Sequence, residues 1–404
     1  MMKLQVIYGL ALVCSIYPYV VYPLILAVQA KRKSRPVSRG SSSDGLASVS
    51  VVVVAYNEAG RIGARVLGLA GQIRALGLDG EIVVVSDGST DRTAAIVEAI
   101  DGLGVPIRLI ALSKNVGKAA ALTEGCLAAR NEILALADVR QTWAPDALAR
   151  LLENFHDPAV GAVSGELFVQ DSGGAMAAVG LYWRFEKWLR RNESLVHSTV
   201  GLTGAICAVR RELFEPIPQG IILDDVYWPL RVVMNQHRVI FDGRAHAFDV
   251  LPDNLGSELH RKVRTLSGNF QLVAAMPAVL LPSKNSVWFA LISHKLMRLA
   301  VPWAAPVVLV TGPIIGGFFP LGITCVGMAI VALGIAGLNS VLASRSRLVA
   351  ASTSFLALNG AAWLGFWVWV LGRSNRSWTK VRYRDEGETE IAMNTHESLE
   401  QVKP

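Results

Sequence analysis

The sequence predicts an α/β domain on a largely parallel sheet, inserted between membrane-spanning helices. Three observations carry this. From residue 48 to about residue 155, short apolar runs alternate with helical patterns, and a βαβα order gives parallel strands joined by right-handed crossovers. Leu4 to Gln29 is an apolar run without charge, long enough to cross a bilayer as a helix. A second apolar block extends from about Val287 to Leu371.

In chain order, residues 1–30 are expected to anchor the protein. Arg32, Lys33, Arg35 and Arg39 follow the run, which directs its C-terminal end to the cytoplasm. A cleaved signal peptide fits less well, because the run exceeds a usual apolar signal region and only Lys3 precedes it. Residues 31–47 form a basic, Ser/Gly-rich linker.

The domain proper is expected over residues 48–270. Ser48–Ala55 is near-continuously apolar, as in a strand of a parallel sheet covered on both faces. Ile62, Val66, Leu69 and Ile73 follow at helical spacing. Glu81–Ser86 is the second strand and Thr93–Ile100 its helix; Pro106–Leu112 is the third, followed by a helix from Gly117 to Ala129. Ile133–Ala137 is the fourth, with Leu148, Leu151, Leu152 and Phe155 on the next helix. Beyond Val160 the order changes: Val160–Val169, Thr203–Arg210 and Arg238–Phe241 predict strands. Between them, Tyr182–Arg191 carries Trp183, Lys187, Trp188, Arg190 and Arg191, which suits a helix lying on a membrane surface or a solvated helix face.

Residues 271–299 are expected to be interfacial, since Leu291–Arg298 is apolar with basic breaks. Residues 300–372 hold about three spans, Ala300–Phe319, Leu321–Ala343 and Leu348–Leu371. Three spans after a cytoplasmic domain would put the basic stretch Arg373–Arg384 outside, against the positive-inside rule. Either residues 284–300 hold another crossing or one span does not cross. Residues 373–404 form a polar tail, expected to be disordered from Asp385 onward.

A formal net charge of +7 fits a membrane-facing surface and a phosphate-bearing substrate. Nucleic acid is not expected as a partner, because no aromatic-basic motif or groove-reading helix stands out. Cys14, Cys126, Cys207 and Cys325 form neither a metal spacing nor a disulfide framework. His156, His197, His237, His246, His260 and His294 have no metal-type spacing, and only His246, near Asp242 and Asp249, invites a look.

Candidate chemistry stands at predicted strand ends. Ala55-Tyr56-Asn57-Glu58 follows the first strand, where backbone and side chains can grip a flat base. The second strand stops at Asp87, turns at Gly88, and a helix begins near Asp91; in open α/β sheets ligands bind at such corners. Asn115-Val116-Gly117-Lys118 leads into a helix, where Lys118 can meet a phosphate. Asp138-Val139-Arg140 follows the fourth strand, and Thr203-Gly204 and Leu223-Asp224-Asp225 come later. Each has an ordinary turn explanation taken singly; six in order do not.

On these motifs the chain resembles the membrane-anchored family 2 glycosyltransferases, relatives of bacterial polysaccharide synthases. The residues that carry the likeness are Val53–Glu58, Ser86–Asp91, Asn115–Lys118, Asp138, Thr203-Gly204 and Leu223–Asp225. The resemblance implies a GT-A fold and a nucleotide-diphosphate sugar donor, usually a uridine one. It implies that Tyr56, Glu58 and Asp87 hold the nucleoside, and that Asp138 binds the ribose or a divalent cation, Mg2+ or Mn2+, on the diphosphate. Thr203 and Gly204 would line the acceptor site, and Asp225 would be the base that deprotonates the acceptor hydroxyl in one inverting displacement.

The physical reading agrees: a sugar hydroxyl is a poor nucleophile helped by a nearby carboxylate, and the leaving diphosphate needs positive charge to meet it. Asp224 beside Asp225 would raise the pKa of one of the pair. Two departures stand out. Arg140 replaces the second metal-binding acid of the family, which weakens an oxygen-ligand site and could offer a guanidinium to phosphate instead. Where processive relatives carry Gln-x-x-Arg-Trp, this chain has Arg261-Lys262-Val263-Arg264-Thr265; Arg264 can still bind diphosphate, but the sugar-stacking Trp is absent.

The expectation is an inverting transferase of the inner membrane, with its domain in the cytoplasm, acting on a saccharide or lipid-linked acceptor. A processive synthase that works with other envelope proteins, or a degenerate nucleotide-sugar-binding subunit, are the alternatives.

Overall fold

A computed structural model describes residues 1–40, 48–170, 177–250, 255–338 and 346–373. Most of the expected basic stretch after Arg373, the polar tail, and Ser344-Arg345 between the last two spans lie outside these residues.

The sheet has eight strands: β1 (Ser48–Ala55), β2 (Asp79–Ser86), β3 (Ile107–Ala111), β4 (Ile133–Asp138), β5 (Thr142–Trp143), β6 (Val160–Gln170), β7 (Ile206–Arg210) and β8 (Arg238–Val250). Their spatial order is β3-β2-β1-β4-β7-β6-β8-β5. The first half is parallel: β1 pairs with β2 and β4, and β2 with β3. At β7 the sheet turns antiparallel, and β6 then pairs in parallel with β8. Val49, Val51, Val52, Val53, Val83 and Val84 are all fully buried, which explains why β1 and β2 show no polar alternation. Their neighbours form two cores, one on each face of the sheet.

The helices between strands are α2 (Ile62–Leu76), α3 (Thr93–Glu98), α4 (Lys118–Ala128) and α5 (Ala147–Leu152), after an N-terminal helix α1 (Met2–Arg32). Downstream lie α6 (Ala177–Val196), α7 (Asp224–Met234) and α8 (Leu255–Ala275). Three apolar helices close the described chain: α9 (Trp288–Ile315), α10 (Phe318–Ala336) and α11 (Arg347–Val370). Together with α1 they make four helices long and apolar enough to cross a membrane.

Two expectations need revision. The strand expected over Arg238–Phe241 continues to Val250, because β6 and the two-residue β5 offer it partners on both sides. The strand expected from Thr203 begins at Ile206; the preceding residues form a segment bonded to Ser164 and to the backbone of Asp225 instead. Residues 288–299 are the first turns of α9, a helix long and apolar enough to cross a membrane. The basic residues His294, Lys295 and Arg298 are tolerated there because carboxylates of α6 meet them.

Candidate active site

The carboxyl ends of β1, β2 and β4 lie side by side, with Ala55 opposite Ser86 and Val54 opposite Asp138. This edge receives the motifs of the first half. Asp87 is buried, and its two carboxylate oxygens accept the backbone N–H groups of Val116 (2.7 Å) and Gly117 (3.0 Å). The acid therefore fixes the loop that leads into α4. Gly117 adopts φ +91°, a conformation open chiefly to glycine, and hands the chain to Lys118 at the first helical position.

Asn57 and Glu58 tie the first corner to the second. Asn57 takes a positive φ of 54°, and its side-chain oxygen accepts the N–H of Thr90 at 2.8 Å. The N–H of Glu58 donates to the Thr93 hydroxyl at 2.9 Å, and the Glu58 carboxylate lies 3.7 Å from Arg61. Tyr56 is exposed at this edge. The Ala55 carbonyl accepts the N–H of Asp87 at 2.8 Å. Tyr56 is thus presented on a braced turn.

Lys118, Asp138, Gly204, Asp224 and Asp225 line one pocket, backed by Cys207 and Trp228. The Lys118 ammonium donates to Asp138 at 2.7 Å. Burial works against its charge, but Asp138, Asp224 and Asp225 outweigh that and hold it above the usual lysine range. A Cβ on Gly204 would lie 3.6 Å from both the Asp225 Cβ and the Lys118 Nζ, so the residue forms a bare wall beside both groups. Leu202 N–H donates to the Asp225 carbonyl at 2.8 Å, locking the Thr203-Gly204 segment against the start of α7.

Asp225 is pushed up to about 6, first by burial and then by the charge of Asp224, with Lys118, Arg190 and Lys295 pulling the other way. A carboxylate with such a value is basic enough to accept a proton near neutral pH. Arg264, on α8, feels both acids: burial lowers its pKa and Asp224 and Asp225 oppose that fall. Gln271 on the same helix holds the preceding loop, accepting the Ile222 N–H and donating to the Gly220 carbonyl.

Arg140 has a different partner from those considered above. Its guanidinium donates to Asp249 on β8 at 2.7 Å, and Gln141 shares that carboxylate oxygen at 3.0 Å. Nor does His246 approach a metal set: its Nε2 bonds the Gly243 carbonyl. Among the described residues no three His, Cys, Asp or Glu side chains are grouped to hold a metal ion. Lys118 occupies one oxygen of Asp138, so a divalent cation held there would take the other oxygen and draw its remaining ligands from the donor's phosphates and water.

Two further residues join the Thr203 segment without a sequence motif to mark them. Arg190 on α6 donates to the Thr203 hydroxyl at 3.1 Å, and Ser164 on β6 accepts the Thr203 N–H at 2.9 Å. The spacing of Glu186, Arg190 and Glu193 on one helical face was the available signal for Arg190, obscured by the aromatic residues around it.

The model of glycosyl transferase family 2 matches residues 50–217. Poly-beta-1,6-N-acetyl-D-glucosamine synthase of Staphylococcus aureus strain MSSA476 is 23% identical over 239 residues, covering 57% of this chain and 56% of that protein. The synthase of the same name from Staphylococcus epidermidis is 22% identical, over 48% of each chain. The chain thus aligns with only about half the length of these curated relatives. Among solved structures, a mannosyltransferase from Pyrobaculum calidifontis, in complex with GDP-Man and Mn2+, superposes with a TM-score of 0.64. It is 22% identical and covers 88% of this chain and 98% of that one. Sheet order, motif placement and these likenesses agree: residues 50–217 form a family 2 glycosyltransferase domain of GT-A fold, flanked by membrane-length helices and similar to part of the polysaccharide synthases named above.

Proposed function

We propose that the protein is an inverting glycosyltransferase that moves a sugar from a nucleotide-diphosphate donor, uridine first among the candidates, to an acceptor hydroxyl at the cytoplasmic face of the inner membrane. The observation that carries this is the convergence of Lys118, Asp138, Gly204, Asp224 and Asp225 on one pocket. The nucleoside would rest against Tyr56, with Asn57, Glu58 and Asp87 bracing the edge beneath it. Asp225 would take the proton of the acceptor hydroxyl as its oxygen attacks the anomeric carbon. The bond from that carbon to the diphosphate breaks on the opposite side, and the nucleoside diphosphate leaves with the bonding pair. Lys118 and Arg264 are the cations available to meet the charge that gathers on it.

Single transfer is favoured over processive growth. Thr265 is exposed and its hydroxyl donates to the Arg261 carbonyl within α8, so no aromatic platform stands at that position for a growing glycan. The name of the curated relatives favours the processive alternative, and product size separates the two.

The test is to supply membranes containing the chain with labelled nucleotide sugars, with and without magnesium or manganese, beside Asp225→Asn. Incorporation from one donor, abolished by the substitution, is expected. No incorporation from any donor, or incorporation indifferent to Asp225→Asn, would overturn the mechanism. Loss of activity under chelation would mean that the donor's diphosphate needs a divalent cation beside Lys118.

A further inference from the structure

Where α1, α6 and α9 meet, the packing encloses a polar seam. The last of these widens into a π-helical turn over Leu291–Leu296, a feature that gathers at functional sites. Two consecutive residues of that turn, Ser293 and His294, are both buried. Ser293 meets the Tyr17 hydroxyl at 2.8 Å. His294 bridges two acids of α6, with Nδ1 2.7 Å from Glu193 and Nε2 2.9 Å from Glu186. Glu186 also accepts from Arg298 at 2.9 Å and lies 3.7 Å from Lys295. Glu193 accepts the Tyr22 hydroxyl at 2.8 Å.

Arg190 stands between these acids along α6, four residues after Glu186 and three before Glu193. Both spacings bring side chains together on a helix, and a guanidinium bonds a carboxylate more strongly than a neutral hydroxyl. Arg190 nevertheless donates to the Thr203 hydroxyl at 3.1 Å. The acids are engaged elsewhere. Tyr22 and His294 both bond Oε1 of Glu193, and its Oε2 is buried without a hydrogen-bond partner among the described residues. An unmet buried carboxylate oxygen is costly, and Arg190 is a cation one turn away that can meet it. Glu193 is therefore a standing competitor of Thr203 for one guanidinium. What Arg190 grips matters: the Thr203 N–H donates to Ser164 at 2.9 Å, and the adjoining Leu202 N–H donates to the Asp225 carbonyl at 2.8 Å.

We propose that Arg190 is the residue that positions the Thr203-Gly204 segment against Asp225, and that His294 keeps it there by holding Glu193 to α9, out of its reach. The consequence for transfer rests on the reading of Thr203 and Asp225 as the acceptor side of a glycosyltransferase site; the contact itself does not. Without the imidazole, Glu193 is held by Tyr22 alone and turns to Arg190. Thr203 then loses its side-chain bond, and the segment beside the base loosens. Glu186 competes less, because Arg298 and Lys295 still hold it. Removing the charge of Glu193 as well should leave Arg190 nothing better than Thr203, so the second substitution should repair the first.

Hydrogen–deuterium exchange on the purified full-length chain in detergent tests this without any substrate. The variants are Arg190→Gln, His294→Gln, Glu193→Gln, and His294→Gln combined with Glu193→Gln. Amides of Leu202 and Thr203 should exchange roughly threefold faster or more in Arg190→Gln and in His294→Gln. They should stay near the parent rate in Glu193→Gln and return to it in the double variant. Exchange over β1 and β2 should not change in any of them. Sugar incorporation in membranes should follow the same order, falling about tenfold or more in the two loosened variants and recovering in the double one. A double variant as loose as His294→Gln, or looser, would overturn the proposal, because the seam would then be a packing joint whose lost bonds add. So would unchanged exchange at Thr203 in Arg190→Gln, or loosening that spreads to β1 and β2 in His294→Gln. A chain that transfers no sugar sinks the transferase reading, while the exchange rates still decide what holds Thr203.

Discussion

At the scale of single residues, Asp225 sets the clearest test. Burial and the neighbouring Asp224 raise it to about 6, so its proton-accepting form is lost as the pH falls through that value. We expect kcat/KM for transfer to drop tenfold per pH unit below about 6, a limb measured with saturating acceptor and limiting donor. Asp225→Asn should remove the limb together with roughly 10²–10⁴-fold of the rate, while nucleotide affinity persists. Asp224→Asn removes a negative neighbour and should move the limb to lower pH. Both acids were legible in the sequence from their place after Leu223. Of the cations that tune Asp225, Lys118 was legible at its helix start, but Arg190 and Lys295 were not, since they are 35 and 70 residues away along the chain and act on it only through the packing of α6 and α9.

At the scale of elements, the turn after β2 does more than end a strand. Gly88 has φ +65°, and a Cβ there would run into the backbone of Lys114 and Asn115. Neither obstacle is the end of a flexible side chain, so the loop that Asp87 braces must shift. Gly88→Ala should therefore lower nucleotide affinity at least tenfold, read by calorimetric titration with UDP and GDP, while far-ultraviolet circular dichroism stays near that of the parent. A left-handed alanine adds about 1–2 kcal/mol of strain. The glycine was legible as a turn; its close approach to the loop before α4 was not, because periodicity describes neighbours along a strand and never across a corner. The same limit explains why β8 was read too short. Its outer half, from Asp242 to Val250, sets polar residues against glycine and alanine as far as Ala247, a weak apolar signal, and it becomes a strand because β6 and β5 lie alongside.

At the scale of the whole molecule, the membrane helices and the domain form one packed body. Tyr22 of α1 is fully buried against Leu189 of α6 and reaches Glu193, and Gly365 of α11 lets that helix press on the backbone of α8 at Ser267. Tyr22→Phe should lower unfolding stability by about 1.5–3 kcal/mol, the usual range for a hydrogen bond to a charged group. Tyr17→Phe, which loses only a hydroxyl pair, should cost about 0.5–1.5 kcal/mol. Thermal melts of both variants in one detergent would check the order; equal losses would mean that Glu193 draws little from the tyrosine.

The sequence by itself determined the apolar spans, the parallel half of the sheet and the place of each acid at a strand end. Those follow from local chemistry: strand burial, turn residues and apolar length are written in neighbours. Only the tertiary structure decided what each charge meets. It gave Asp87 to the α4 loop, Arg140 to Asp249, Lys118 to Asp138, and Arg190 to the Thr203 hydroxyl. A charge finds its partner through space, across elements that share no pattern along the chain, and that choice sets which groups are spent on the fold and which remain for a ligand.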